Sequence, residues 1–278
     1  MIYGALANQR FENPIYGCVT ASIYMILGGP ANTTTGIMGT ALKGISVAPL
    51  FPTTEPYSGY TASYIHVRDG GGETITFSSA SLASSQVVDW VFVELRDKNN
   101  PATVVSTKSG LLLASGSVVA QDGSSSLVFS ATPKDDYYVA IRHRNHLGCM
   151  TATPVNFRTT QSIDFRQVTT AVYGATQSMS RKLVTATLYG LWGGDSNQDG
   201  RVIQTSSFSQ TGIKSDHEAV IDFLNGTSSK SGYYIQDLNL NGITRLSGGF
   251  PSNNEYLLIL NNTSAAAGSP ASTVQQLP

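Results

Sequence analysis

VVDWVFVELRDKNNPATVVSTKSGLLLASGSVVAQDG, residues 87–123, carries the fold signal in its punctuation. The opening run at 87–95 is dominated by Val, Phe and Trp and stops at Arg96-Asp97, after which KNNP must turn the chain. At least three further short strands follow, broken by Ser-Gly and Asp-Gly pairs that suit tight turns. DDYYVAIRHR at 135–144 then alternates, with Tyr138, Ala140 and Arg142 on one face and Tyr137, Val139, Ile141 and His143 on the other. Short strands at this spacing predict a mainly β fold built as an antiparallel β-sandwich.

Working outward, IYGCVTASIYMILGG at 15–29 predicts a strand that ends at Gly28-Gly29. A turn-rich stretch holding one short helix and the Pro-rich APLFPTTEPY at 48–57 follow. ASYIHV at 62–67 and TITF at 74–77 predict two strands about the turn RDGGGE. TATPVNF, SIDFRQV and SRKLVTATLYG complete the domain, and its boundary falls near residue 190. Residues 1–20 form an extended segment, 21–190 the β-domain, 191–264 a smaller module and 265–278 a tail.

The module divides into two imperfect copies. GLWGGDSNQDG leads to SDHEAVIDFLNG, and GYYIQDLNLNG leads to SNNEYLLILNN. Asp195, Asn197, Asp199 and Gly200 recur 42 positions on as Asp237, Asn239, Asn241 and Gly242. Alternating carboxylates and amides suit Ca²⁺, which takes six to eight oxygen ligands, and glycine permits the tight loop. Asp195, Asn197 and Asp199 with the Arg201 carbonyl make the first ligand set. The ninth and twelfth positions are Ile203 and Ser206, so Asp216, beyond an insertion, must close it. Asp237, Asn239, Asn241 and the Ile243 carbonyl make the second set, closed by Asn253, Asn254 or Glu255, with Asn254 the favoured ligand. The competing reading treats each loop as an Asx-rich turn, and Glu218 and Glu255 as acids near helix N-termini. Val220, Ile221 and Leu224 with Leu257, Leu258 and Ile259 supply a shared helix-packing core.

Residues 190–262 resemble the duplicated calcium-loop module of dockerins, and more closely the dockerin-like C-terminal regions of large secreted surface proteins of the Bacteroidota. The block at 87–123, followed by YYVAIRHRNHLGCMTA, is similar to a β-domain found beside those regions. The resemblance implies an extracellular location, export by the type IX route, and calcium ligation by Asp195, Asn197, Asp199, Asp237, Asn239 and Asn241. The insertions after both loops depart from an ordinary dockerin.

The chain of 278 residues has 13% charged residues, against roughly 25% in an average soluble domain. Net charge is -1 and no dense basic run occurs, which excludes nucleic acid as a partner. The longest apolar runs, such as YLLIL at 256–260, are too short to cross a bilayer. The opening MIYGALANQRFENP lacks the pattern of a signal peptide. Cys18 and Cys149 either pair or remain free.

RHRNHLG is the densest reactive cluster. His143 and His146 with a distant acid make a transition-metal option, and hence a metal-dependent hydrolase. The simpler reading anchors these donors to loop carbonyls or to Asp89, Glu94 or Asp97. Tyr57, Tyr60, Tyr64, Trp90 and Trp192 offer a stacking platform for a glycan, or otherwise fill the core. The expectation is a noncatalytic extracellular structural or adhesive protein stabilised by calcium. Its sparse charge favours a self-assembling filament or surface-layer subunit, with residues 1–20 pairing with a neighbour's sheet. The alternative is a carbohydrate-binding or cohesin-like partner-binding module.

Overall fold

The computed structural model describes residues 17–43, 51–60, 63–68, 70–78, 85–204, 214–248, 254–263 and 272–278. Residues 1–16 of the expected intersubunit segment lie outside these. The chain is mainly β and largely antiparallel. In order, β1 (Val19–Tyr24), β2 (Val87–Asp97), β3 (Val104–Leu113), β4 (Ser117–Val119), β5 (Leu127–Phe129), β6 (Asp136–His143), β7 (His146–Met150), β8 (Val155–Asn156) and β9 (Gln161–Asp164) are hydrogen-bonded into one sheet. Among the described residues these strands belong to one sheet instead of two separate ones. β1 begins at Val19, so the end of the expected 1–20 segment belongs to the sheet.

β2 is its centre, with β3 antiparallel on one side and β6 on the other; Val93 faces both Lys108 and Ile141. Its β-branched and aromatic side chains suit a strand buried on both faces, and Val87 through Arg96 are buried throughout. β1 pairs with β4 and β5 antiparallel and with β9 parallel.

One face of β2 is covered by an irregular segment where strands were expected at 62–67 and 74–77. Phe51 stacks on Trp90 at 6.1 Å, while Tyr57 and Tyr64 each lie 5.3 Å from Phe92. The buried carboxylates of Glu55 and Glu73 hold the backbone of the turns beside these stretches. Glu55 accepts from the Tyr57 amide at 2.7 Å and the Gly72 amide at 2.9 Å, and Glu73 from the Gly71 amide at 3.1 Å. A buried N–H needs a partner wherever it comes from, so these acids make a non-strand path affordable.

β10 (Lys182–Leu183) and β11 (Tyr189–Gly190) form a short ribbon after the helical turn α1 (Gln177–Ser180). Beyond residue 190 come β12 (Arg201–Ile203), α2 (Asp216–Leu224), β13 (Ser229–Ser231), β14 (Ile243–Arg245), α3 (Glu255–Thr263) and β15 (Ser272–Val274). β12 pairs with β15 and β13 with β14, both antiparallel. The tail therefore contributes a packing strand. Val202, Val220, Leu224, Leu238 and Ile259 bury a second, smaller core, while Ile221 faces outward at 44% exposure. Leu147 from β7 joins this core, and Leu240 from the module joins the larger one, so packing crosses residue 190. Cys18 and Cys149 are both free. No described helix is long and apolar enough to cross a membrane.

Candidate metal centre

The two loops share one hydrogen-bond plan. The Gly200 amide donates to Asp195 Oδ2 at 3.2 Å, and the Gly242 amide to Asp237 Oδ2 at 2.8 Å. Asn197 Oδ1 accepts from the Asp199 amide at 3.0 Å, as Asn239 Oδ1 does from Asn241 at 3.1 Å. Asp199 Oδ1 accepts from Arg201 at 2.9 Å, and Asn241 Oδ1 from Ile243 at 2.8 Å. Gly200 and Gly242 take φ of 76° and 81°, and Gln198 and Leu240 take 61° and 57°. A left-handed leucine costs roughly 1–2 kcal/mol, so its recurrence at the position of Gln198 marks a repeated backbone template.

Each loop is closed by an acid from the following helix. Asp216 Oδ2 accepts from the Ile203 amide and its Oδ1 from the Ser196 amide, both at 2.7 Å. Glu255 Oε2 accepts from the Arg245 amide at 2.6 Å, and Arg245 holds the place of Ile203 in the repeat. The Asp216 carboxylate, expected to close the first loop, thus lies against amides within and just after it. In the second loop Glu255 takes this place, and Asn254 instead caps α3, its Oδ1 accepting from the Leu257 amide at 2.9 Å. The short Asn side chain suits the cap, whereas the longer Glu reaches back to the loop. Glu218 is the helix-start acid that the simpler reading described, forming a capping box with Ser215. Arg201 and Ile243 are the first residues of β12 and β14, where loop gives way to strand.

Burial pushes the Asp195 carboxyl up to about 7, with the Asp199 charge adding to it. Burial also drives Asp216 well above the usual carboxylate range, reinforced by Asp195, and raises Asp199. In the second loop burial lifts Asp237 to about 6 and Glu255 to about 8. None of the described ion pairs involves Asp195, Asp199 or Asp216. Asp195 Oδ1 is buried with no hydrogen-bond partner. Leaving such an acceptor unsatisfied costs about 1–3 kcal/mol, and more for a charged group.

A hard divalent cation would relieve these repulsions and supply the missing partner. Among the described residues no three His, Cys, Asp or Glu side chains form a ready-made metal cluster. The loops do not need one, because calcium sites mix carboxylates with amide and backbone oxygens. A cavity of about 280 Å³ beside Asp195 and Asp199, and one of about 520 Å³ beside Asn239 and Asn241, give each loop an approach.

RHRNH is the tip of the β6–β7 hairpin, with His143 facing His146 across the Arg144-Asn145 turn. His143 Nε2 donates to Asp89 Oδ2 and Arg144 Nε donates to the same oxygen, each at 3.1 Å. Tyr233, just before the second loop, donates to Asp89 Oδ1 at 2.6 Å. Burial favours the neutral acid at Asp89, yet Arg144 and the His143 hydrogen bond hold it below the usual range. Arg142 pairs with Glu94 at 3.0 Å, whereas Asp97 caps the following turn through Asn99 and Asn100. Gly29 donates to His146 Nε2 at 3.0 Å, which leaves the His146 proton on Nδ1, 2.8 Å from Asn145 Oδ1. Burial lowers both histidines, His146 strongly. Their rings meet, but these nitrogens serve the fold, which leaves the transition-metal option without a vacant ligand pair.

Asn145 went unremarked in the sequence, and it holds both loops. Its carbonyl accepts from Gly194 at 3.1 Å and Asp195 at 3.2 Å, and its Nδ2 donates to the Ile235 and Asp237 carbonyls at 2.8 Å. The only signal was an amide at a hairpin tip. Tyr57, Tyr64 and Trp90 are buried in the sheet core and Tyr60 and Trp192 half-buried, so these rings form no exposed platform. Comparison with protein-family models, curated proteins and solved structures returns no match, and the chemistry of the loops rests on this chain's own geometry.

Proposed function

We propose that the chain is a noncatalytic extracellular structural or adhesive protein whose C-terminal module is organised by two Ca²⁺ ions, one in each loop. The observation that carries this reading is the buried, unpartnered Asp195 Oδ1 beside Asp199 and Asp216, acids that take part in none of the described ion pairs. The first ion would take Asp195, Asn197, Asp199, Asp216 and the Arg201 carbonyl. The second would take Asp237, Asn239, Asn241, Glu255 and the Ile243 carbonyl. All are oxygen donors, which suits a hard cation over zinc or copper. When bound, calcium supplies charge neutralisation that fixes loop and helix together.

The dockerin-like resemblance supports paired calcium loops outside the cell, reached by type IX export, where millimolar calcium fills weak sites. Self-assembly into a filament or surface layer draws support from the sparse charge of the chain.

Calorimetric melting in 1 mM calcium and in chelator tests the reading. Calcium should raise Tm by at least 5 °C, since a ligand at a hundred times its Kd adds about 2.7 kcal/mol. Equal melting in both buffers would remove the calcium role. Sedimentation of the calcium-loaded chain tests assembly separately; a monomer at every concentration would remove that part alone.

A further inference from the structure

The first residue of each loop is held by one residue outside both. The Asn145 carbonyl accepts from the Asp195 amide at 3.2 Å, and Asn145 Nδ2 donates to the Asp237 carbonyl at 2.8 Å. These aspartates begin the two ligand sets, and they are gripped through groups of opposite polarity. The grip is reinforced on both sides. Gln198 of the first loop donates to the Arg144 carbonyl at 2.9 Å, and Arg144 donates to the Tyr234 carbonyl before the second loop. Gln236 also donates directly across to the Ser196 carbonyl at 3.0 Å.

The turn that carries Asn145 has little freedom to yield. Arg144 and Asn145 are 1% and 0% exposed, and Asp89 clamps both His143 and Arg144 from the central strand. The Arg144 guanidinium lies 4.1 Å from the centre of the Tyr233 ring, which ties the same clamp to the module. A displacement of Asp195 therefore strains the bonds that position Asp237, and the reverse holds equally.

We propose that Asn145 is a positioning residue for both cation loops and couples their occupancy, so that an ion in either loop raises the affinity of the other. This rests on the calcium reading above. An ion that fixes Asp195 fixes the Asn145 carbonyl, and the same turn then presents Nδ2 to Asp237 already ordered. Thermodynamic linkage requires the effect to be reciprocal. The two arms of Asn145 are separable, because the grip on the first loop is a backbone carbonyl and the grip on the second is the side chain. Of the two grips Asn145→Ala removes only the second, along with the bond that Asn145 Oδ1 accepts from His146 Nδ1 within the hairpin.

The test is calcium titration by calorimetry of the full chain after chelator treatment, with each loop silenced in turn by Asp216→Asn or Glu255→Gln. In the native hairpin, silencing either loop should weaken the remaining one about tenfold. With Asn145→Ala, the first loop measured in the Glu255→Gln background should keep its affinity. The second loop, measured in the Asp216→Asn background, should weaken, and the effect of silencing one loop on the other should fall well below tenfold, with the Arg144 and Gln236 bonds carrying what remains; an undiminished effect would overturn the role of Asn145. A purely structural role would instead weaken both loops together. Melting curves establish that each variant is folded; if Asn145→Ala does not fold, the two silenced variants in the native hairpin still decide whether coupling exists. Two sites whose affinities ignore each other would overturn the coupling and leave the calcium reading standing. Absence of any calcium binding would overturn the reading itself, and the coupling with it.

Discussion

Asp195 is 7% exposed, and one of its two carboxylate oxygens has no donor in reach. Its raised pKa of about 7 makes the charged form unfavourable in the ion-free fold. Asp195→Asn should therefore change sign with calcium. In chelator at pH 7.5 the variant should melt above the native chain, by roughly 2–6 °C for a gain on the order of 1–3 kcal/mol. In calcium it should melt below it, because a ligand charge is gone. Lower melting in both buffers would mean that the carboxylate is structural. The expectation for Asp216 came from Ser206 at the twelfth position, which leaves the loop in need of an acid from elsewhere, and its carboxylate bonds the Ser196 and Ile203 amides. Asn254 and Glu255 were not separable, because adjacent polar residues at a helix start differ in role only through reach and the residue at which the helix begins. The backbone decides that.

Among the elements, the β6–β7 hairpin joins sheet and module, and His146 gives it a pH dependence. Its ring is buried neutral, with a folded pKa well below the ordinary value near 6.5. Between those values the unfolded chain binds more protons than the folded one, so stability is full above about 6.5 and declines as pH falls through it. The Tm advantage of the native chain over His146→Gln, at one fixed calcium concentration, should shrink between pH 7.5 and 5.5. The loss is at most about 1.4 kcal/mol per pH unit. A constant difference would contradict a neutral buried imidazole. Alternation in DYYVAIRH separated two faces without saying which is buried: Tyr137, Val139, Ile141 and His143 are buried, and so is Ala140 of the other face, while Asp89 and Glu94 were among the acids named as partners for its Arg and His donors. The strands expected at 62–67 and 74–77 are absent from their described residues: Ser63 and Tyr64 turn back to donate to the Tyr60 carbonyl, and Thr74 makes only an isolated antiparallel bridge to Thr54. Periodicity reports which side chains seek burial, and says nothing about whether the backbone finds a neighbour to form a ladder.

For the whole molecule, composition suggests a β-domain and a module, whereas the bonds that join residues on either side of 190 leave no mark in it. β15 pairs with β12 at the exit of the first loop, and Gln275 then accepts from the Gly148 amide of β7 at 2.7 Å. Asp89 reaches Tyr233, and Asn145 reaches both loops. These bonds link residues far apart in sequence, where neither spacing nor composition leaves a trace. They would make ion binding in the loops a property of the entire fold. The most direct measurement is calcium stoichiometry at pH 7.5, by equilibrium titration of the chelator-treated full chain with elemental analysis of the product. The account predicts two calcium ions per chain, falling to one with either Asp216→Asn or Glu255→Gln. A native chain that retains none at millimolar calcium would contradict it.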